Sequence, residues 1–175
     1  MLFEQLEFPW FKPSPSMPDI KTAMLYPGTC FFEGTELSEG RGTEAPFRNI
    51  GAPWVNAELW LEALKPLLPD YIKASTNTFI PTFSKYENEK CNGIQLEMSS
   101  NQPQPVVEIG IALLYSLMQT HPDKIVFTGR PSLSKPFIDY LSGTDKLRLG
   151  LQAGKTPKEI LASFPSINFK TKLLY

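Results

Sequence analysis

The chain has 175 residues, a net charge of −1 and 42% hydrophobic content, which suits one domain built on one buried core. That charge balance excludes the electrostatic footprint of a nucleic-acid or anionic-membrane binder, and no apolar stretch reaches the ~18 residues of a spanning helix. A single histidine, His121, excludes a His-rich metal site, and two distant cysteines, Cys30 and Cys91, read as buried free thiols rather than a disulfide.

Seventeen prolines and eleven glycines fall mostly between apolar segments, so short elements joined by long, shaped loops are expected. The opening segment carries Glu4 and Glu7 and lacks a cationic n-region, so no signal peptide is expected there. From Glu7 to Pro18 the prolines favour extended backbone. Asp19 is placed to cap a helix over 20–25, with Tyr26-Pro27-Gly28 interrupting it and a further helical turn over 29–33. Residues 34–43 read as loop. Asn56 caps the clearest amphipathic helix, with Leu59, Trp60, Ala63, Leu64 and Leu67 on one face and Pro69 and Asp70 closing it.

Residues 71–82 are β-branched and aromatic, and are expected to pair with 93–99, where Ile94, Leu96 and Met98 alternate with polar neighbours. Residues 105–119 form the expected central buried helix, ending near His121, which reads as a solvated residue at that helix's C-terminus. Short extended structure is expected at 125–128, then helices over 134–141 and after Thr144-Asp145. Thr156-Pro157-Lys158-Glu159 has the pattern of a capping box with proline in the first turn. The apolar end of the tail, 168–175, is suited to docking. The sum is an α+β domain: a small, mostly antiparallel sheet covered by several helices, with long Gly/Pro-rich loops, over 1–175.

The densest polar information lies in 26–54, which holds Glu33, Glu36, Glu39, Arg41, Glu44 and Arg48. Gly40 and Gly42 flank Arg41 and permit positive φ and close backbone approach. An arginine so placed presents its planar fork to a carboxylate, either on a ligand or on the protein itself. The first option makes the loop a grip for a polar, anionic small molecule. The second makes it a structural loop in which Arg41 pairs with Glu33 or Glu44 and holds shape. Composition alone leaves both open.

Glycoside hydrolysis uses a pair of carboxyl groups, one with a raised pKa. Glu33 follows Cys30-Phe31-Phe32, an apolar setting in which burial would raise its pKa, whereas Glu36, Glu39 and Glu44 have more polar neighbours. No dinucleotide, phosphate-loop or zinc-protease motif is present, and no cofactor or metal is expected. Phe8, Trp10, Phe11, Trp54 and Trp60 are candidates for a carbohydrate-stacking platform, Trp10 and Trp54 foremost because each neighbours a proline.

The sequence around this loop resembles the C-terminal domain of bacterial exo-β-N-acetylmuramidases of the NamZ type, a family formerly filed as a domain of unknown function. The resemblance runs through Pro13-Ser14-Pro15, Met17-Pro18, Tyr26-Pro27-Gly28, Glu33-Gly34-Thr35, Ser38-Glu39-Gly40-Arg41-Gly42-Thr43, Pro46-Phe47 and Gly51-Ala52-Pro53-Trp54. It continues at 79–86, at Cys91-Asn92-Gly93-Ile94, at Phe137-Ile138-Asp139 and at Leu141-Ser142-Gly143-Thr144. Ser16 departs from the asparagine expected in that first motif.

Such proteins remove N-acetylmuramic acid from non-reducing ends of peptidoglycan fragments. The resemblance implies a muropeptide or muramic-acid disaccharide substrate and a periplasmic or extracellular setting. It also implies an N-terminal Rossmann-like domain, in cis or in trans, which carries the principal catalytic carboxylate and which this sequence lacks. On that basis Glu33 is the candidate acid/base or sugar-hydroxyl acceptor and Arg41 the candidate partner of the muramyl carboxylate. Ser38, Gly40, Gly42, Thr43 and Trp54 are candidate cleft residues. Alternatives of another class are a stand-alone peptidoglycan- or carbohydrate-binding module, and a structural partner domain without catalysis.

Overall fold

The computed structural model describes residues 8–99, 104–129 and 132–165; the tail at 168–175 lies outside them. Helix α1 spans Ile20–Thr29, with the Asp19 carboxylate accepting from Thr22 N as N-cap, and runs directly into a 3₁₀ turn, Cys30–Gly34. Pro27 therefore does not interrupt the helix as the sequence suggested. Proline forfeits one helical hydrogen bond, but the Cys30 N–H still reaches the Tyr26 carbonyl beyond it. Gly28 also seats the helix tightly on its neighbour: a methyl group there would collide with the Val106 carbonyl, and one at Gly110 with the Gly28 carbonyl.

The sheet comprises β1 (Asn49–Ala52), β2 (Ile72–Phe79) and β3 (Cys91–Met98), all antiparallel in the order β1-β3-β2. The β2–β3 pair is the expected one, registered from Ile72↔Met98 to Phe79↔Cys91. Strand β1 was not anticipated. Its four residues, Asn-Ile-Gly-Ala, have no alternation of their own, and their strand character comes from pairing with β3 from Asn49↔Gln95 to Ala52↔Asn92.

Helix α2 (Ala57–Leu64) is capped by Asn56, whose side chain accepts from Leu59 N. Helix α3 (Val106–Thr120) is the expected central helix, with Ile109, Ile111, Leu113, Leu114 and Leu117 buried. Helices α1, α2, α5 (Lys146–Gln152) and α6 (Pro157–Ser163) pack on it. The core-facing side of the sheet adds Ile94, Leu96 and Met98, giving the expected α+β layering. Helix α4 (Phe137–Leu141) is shorter than the expected 134–141 because Pro136 occupies its N-cap position. It packs on the 3₁₀ turn and is tied to α5 by a two-pronged Asp139–Arg148 ion pair at 2.8 and 2.9 Å. Both halves of the Thr156–Glu159 capping box are present in α6.

Residues 125–128 are extended and contribute one bridge, Phe127 to Thr35. Cys30 and Cys91 are buried free thiols. Among the described residues, no helix is long and apolar enough to cross a membrane, and no cluster of three metal-ligating side chains occurs.

Candidate functional site

The motif loop folds back between the 3₁₀ turn and the β2–β3 connection. Phe31 and Phe32 enter the core, which leaves Glu33 at the margin with its side chain 15% exposed. There it meets groups that the sequence pattern did not bring together. Arg41 donates through Nη2 to Glu33 Oε2 at 3.1 Å and through Nε to Glu39 Oε1 at 3.0 Å. Glu39 is buried, against the expectation of polar surroundings, and its second oxygen accepts from Lys85 Nζ at 2.9 Å. The Lys85 ammonium also donates to the carbonyls of Phe32 and Leu37, at 2.8 and 2.9 Å. Two carboxylates and two cations thus form one linked chain, Lys85–Glu39–Arg41–Glu33, with no net charge.

Glu33 does not sit in the apolar pocket suggested by its neighbours in sequence. Its oxygens take Arg41 and, more loosely, the Tyr26 hydroxyl at 3.4 Å. Burial, followed by the charge of Glu33, raises the Tyr26 pKa above its ordinary value, so the phenol stays a donor. The neighbouring Cys30 thiol is pushed up to about 11 by burial and by Glu33, and stays protonated at neutral pH.

Backbone geometry fixes Arg41 from both sides. Gly40 and Gly42 have φ of +75° and +79°. A Cβ at Gly42 would lie 2.7 Å from the backbone nitrogens of Thr82 and Phe83, and one at Gly40 would lie 2.5 Å from the Asn49 carbonyl. Thr82 binds the Gly42 carbonyl through both its N–H and its hydroxyl. Ser38 pairs with Gly51 as an isolated bridge and accepts from Gly40 N, while Thr43 donates to the Gly40 carbonyl at 2.7 Å.

Phe47 sits under the guanidinium, 4.9 Å from Arg41 Cζ, and meets Tyr26 edge-on at 4.8 Å. It is buried at a φ of +60°, a conformation costing a non-glycine residue about 1–2 kcal/mol. The Phe47 N–H bond to the Glu39 carbonyl, at 2.6 Å, helps to hold it there. The β2–β3 connection is strained in the same sense, with Ser84, Tyr86 and Asn88 all at positive φ around Lys85. Such strain persists only where surrounding contacts over-determine it.

Sequence reasoning selected Glu33 and Arg41, which do meet, but did not identify Lys85, Phe47 or Tyr26 as their neighbours. The strained Ser84–Tyr86 backbone left no signal in residue type. Trp54 lies outside this cluster. It lines a separate cleft of about 540 Å³ with Asn56, Glu58, Thr76, Thr78 and Asn92. The aromatic platform is not assembled as a unit: Trp60 is fully buried and donates to Leu113 O and Ser116 Oγ, whereas Phe8 and Phe11 are exposed and Trp10 donates to Met17 O.

Trp54 packs at 5.7 Å against His121. His121 stands at the C-terminal end of α3, as its position suggested, but it is half-buried rather than freely solvated, and its Nε2 accepts from Asn56 N at 3.0 Å. Its Nδ1 therefore carries the proton and donates to Thr120 Oγ1 at 2.8 Å. Burial holds the imidazole below its ordinary value. Protonation would set a donor against the Asn56 N–H, next to the positive end of α2.

A folded-state pKa below the unfolded ~6.5 means that this contribution is complete above that pH. It is lost as pH falls from there through the folded value. Thermal melts between pH 7.5 and 5 are expected to show this loss, and His121→Asn to flatten it; parallel profiles for the two proteins would contradict the assignment.

The family model described as "Exo-beta-N-acetylmuramidase NamZ, C-terminal" matches residues 24–169. The peptidoglycan β-N-acetylmuramidase NamZ of Bacillus subtilis (strain 168) is 32% identical over 164 residues, covering 94% of this chain and 38% of its own length. Two crystal structures of DUF1343 family proteins from Bacteroides fragilis NCTC 9343 share the architecture. One has a TM-score of 0.80 at 23% identity over 93% of this chain and 42% of its own. The other has a TM-score of 0.55 at 28% identity over 86% of this chain and 38% of its own. The chain thus spans about two-fifths of the length of each of these relatives.

Proposed function

This chain belongs to the exo-β-N-acetylmuramidase NamZ C-terminal family, and on that premise we propose that it forms one wall of the substrate cleft in a peptidoglycan-processing glycosidase. The enzyme releases N-acetylmuramic acid from non-reducing ends, with an N-terminal Rossmann-like domain supplying the other wall and the principal catalytic carboxylate, outside the cytoplasm. The observation that carries this reading is the partly open Glu33–Arg41 pair, held by Glu39, Lys85 and Phe47 in a loop with two glycines at positive φ.

Arg41 uses two of its five N–H donors on Glu33 and Glu39 and keeps its side chain 29% exposed. Its outer edge is available to the lactyl carboxylate that distinguishes muramic acid from glucosamine. Glu33 accepts a sugar hydroxyl or relays a proton. Gly40, Gly42, Ser38 and Thr43 hold the loop in shape, whereas Trp54 lines its own cleft and is not part of this contact set.

In the motif loop Glu33 and Glu39 are both already bridged by one guanidinium. A carboxylate pair held by a shared cation in this way is not the separated acid and base that glycoside hydrolysis needs. The purified chain is expected to leave a chromogenic muramic-acid glycoside intact. Turnover by the chain alone, lost on Glu33→Gln, would show that the whole catalytic set is here and sink the two-walled reading.

A further inference from the structure

A second cleft, of about 650 Å³, borders the motif loop, with Gly42, Thr43 and Ala45 on one side and Ile80 and Thr82 on the other. Its floor is the sheet face opposite Ile94 and Leu96, since side chains alternate along β3 and Gln95 points the other way. Three carboxamides from three strands meet there. Asn49 Oδ1 accepts from Asn77 Nδ2 at 3.0 Å and from Gln95 Nε2 at 3.1 Å, while Asn49 Nδ2 donates to Thr43 Oγ1 at 3.2 Å.

These bonds fix which way each amide faces. Asn77 Oδ1, Gln95 Oε1 and the second N–H of each make no hydrogen bond among the described residues. Three charged residues line the cleft: Arg48 is committed to Glu97 at 2.9 Å and to Asp19 at 3.1 Å, and Glu44 is exposed. The cleft therefore presents oriented donor–acceptor pairs, and among its lining residues the cation is already taken while an exposed carboxylate disfavours an anionic ligand. Ile80, 55% exposed at the rim, adds an apolar shelf. The volume falls within the ordinary range for small-ligand sites.

We infer that this cleft binds a neutral saccharide unit bearing an acetamido group. Carboxamides match both vicinal hydroxyls and an acetamide, and the Ile80 shelf suits a sugar's apolar face or the acetyl methyl. A charged sugar belongs instead at Arg41, across the same loop. The inference rests on the glycosidase reading only in taking the ligand to be a glycan.

The test is NMR titration of the chain with di-N-acetylchitobiose, with maltose as the sugar lacking acetamido groups. Chitobiose is expected to shift the Asn77, Gln95 and Thr43 resonances and maltose to leave them unmoved. Asn77→Ala and Ile80→Asp, two partly or largely exposed positions, are each expected to weaken binding roughly tenfold, the worth of one lost contact, with folded spectra retained. Arg41→Lys should leave chitobiose affinity within about twofold. Equal response to maltose, shifts elsewhere on the surface, or affinity indifferent to both substitutions would overturn the assignment. Chitobiose binding that survives a failure of the muramidase reading would leave this cleft standing. Muramic-acid-specific turnover without chitobiose binding would remove the cleft alone.

Discussion

A Lys85→Met protein is expected to melt roughly 6–12 °C below the unsubstituted chain, from a loss of about 3 kcal/mol at about 2–4 °C per kcal/mol for a domain of this size. Lys85 serves three acceptors at once: the Phe32 and Leu37 carbonyls and the Glu39 carboxylate. Methionine fills the stem's volume but strands a carboxylate whose side chain is only 4% exposed. Breaking one partner out of such a pair costs about 3–5 kcal/mol. The lower end applies because the Lys85 side chain is 26% exposed and Arg41 still holds Glu39.

Adding Glu39→Gln to Lys85→Met should restore part of the loss, since the amide no longer needs a cation. A double-mutant cycle is expected to give a coupling of about 1 kcal/mol or more. A melting temperature within a degree or two of wild type would mean that Lys85 is solvated in solution and that the linked chain does not exist as described.

Arg41→Lys carries the largest expected effect on activity. In a protein with both halves of the cleft, turnover of a muramic-acid glycoside should fall about tenfold or more, because a bidentate charged contact is worth about 1.5–3 kcal/mol. Lysine keeps the charge but cannot reach Glu33, Glu39 and a ligand carboxylate together from one point. The pairing with Glu33 is also what a purely loop-holding arginine requires, so stability is expected to drop as well, by about 1 kcal/mol.

The two roles separate on substrate preference. A ligand-facing Arg41 makes the wild type prefer N-acetylmuramyl over N-acetylglucosaminyl glycosides, and the substitution erodes that preference. If the wild type shows no preference while Arg41→Lys loses activity only in step with stability, the anion grip fails.

What the sequence made legible was local. The Thr156–Glu159 capping box, the Asn56 cap and the periodic run of α3 each state their structure within one or two turns. Alternation along Ile94, Leu96 and Met98 marked β3 and its pairing with β2. Illegible features depended on distant partners. Strand β1 exists because β3 supplies its hydrogen bonds from forty or more residues away. Pro27 is carried through a helix by packing of Gly28 against α3, which propensity does not encode.

The site divides the same way. Glycines around an arginine in an acidic loop pointed to the Arg41–Glu33 contact, which lies within eight residues. Lys85 reaches Glu39 from 46 residues away. Glu39 looked solvated because its sequence neighbours are polar, yet the loop folds over it. Positive φ at Phe47 violates the usual preference of a bulky residue, and tertiary contacts alone explain it.

The most direct measurement is the sugar released when a protein carrying this chain joined to an N-terminal domain of the family is given two disaccharides. One has N-acetylmuramic acid at its non-reducing end, the other N-acetylglucosamine. Free N-acetylmuramic acid is expected from the first, nothing from the second, and no release when this chain is omitted. Equal cleavage of both disaccharides, or release that persists at full rate without this chain, would contradict the two-walled cleft.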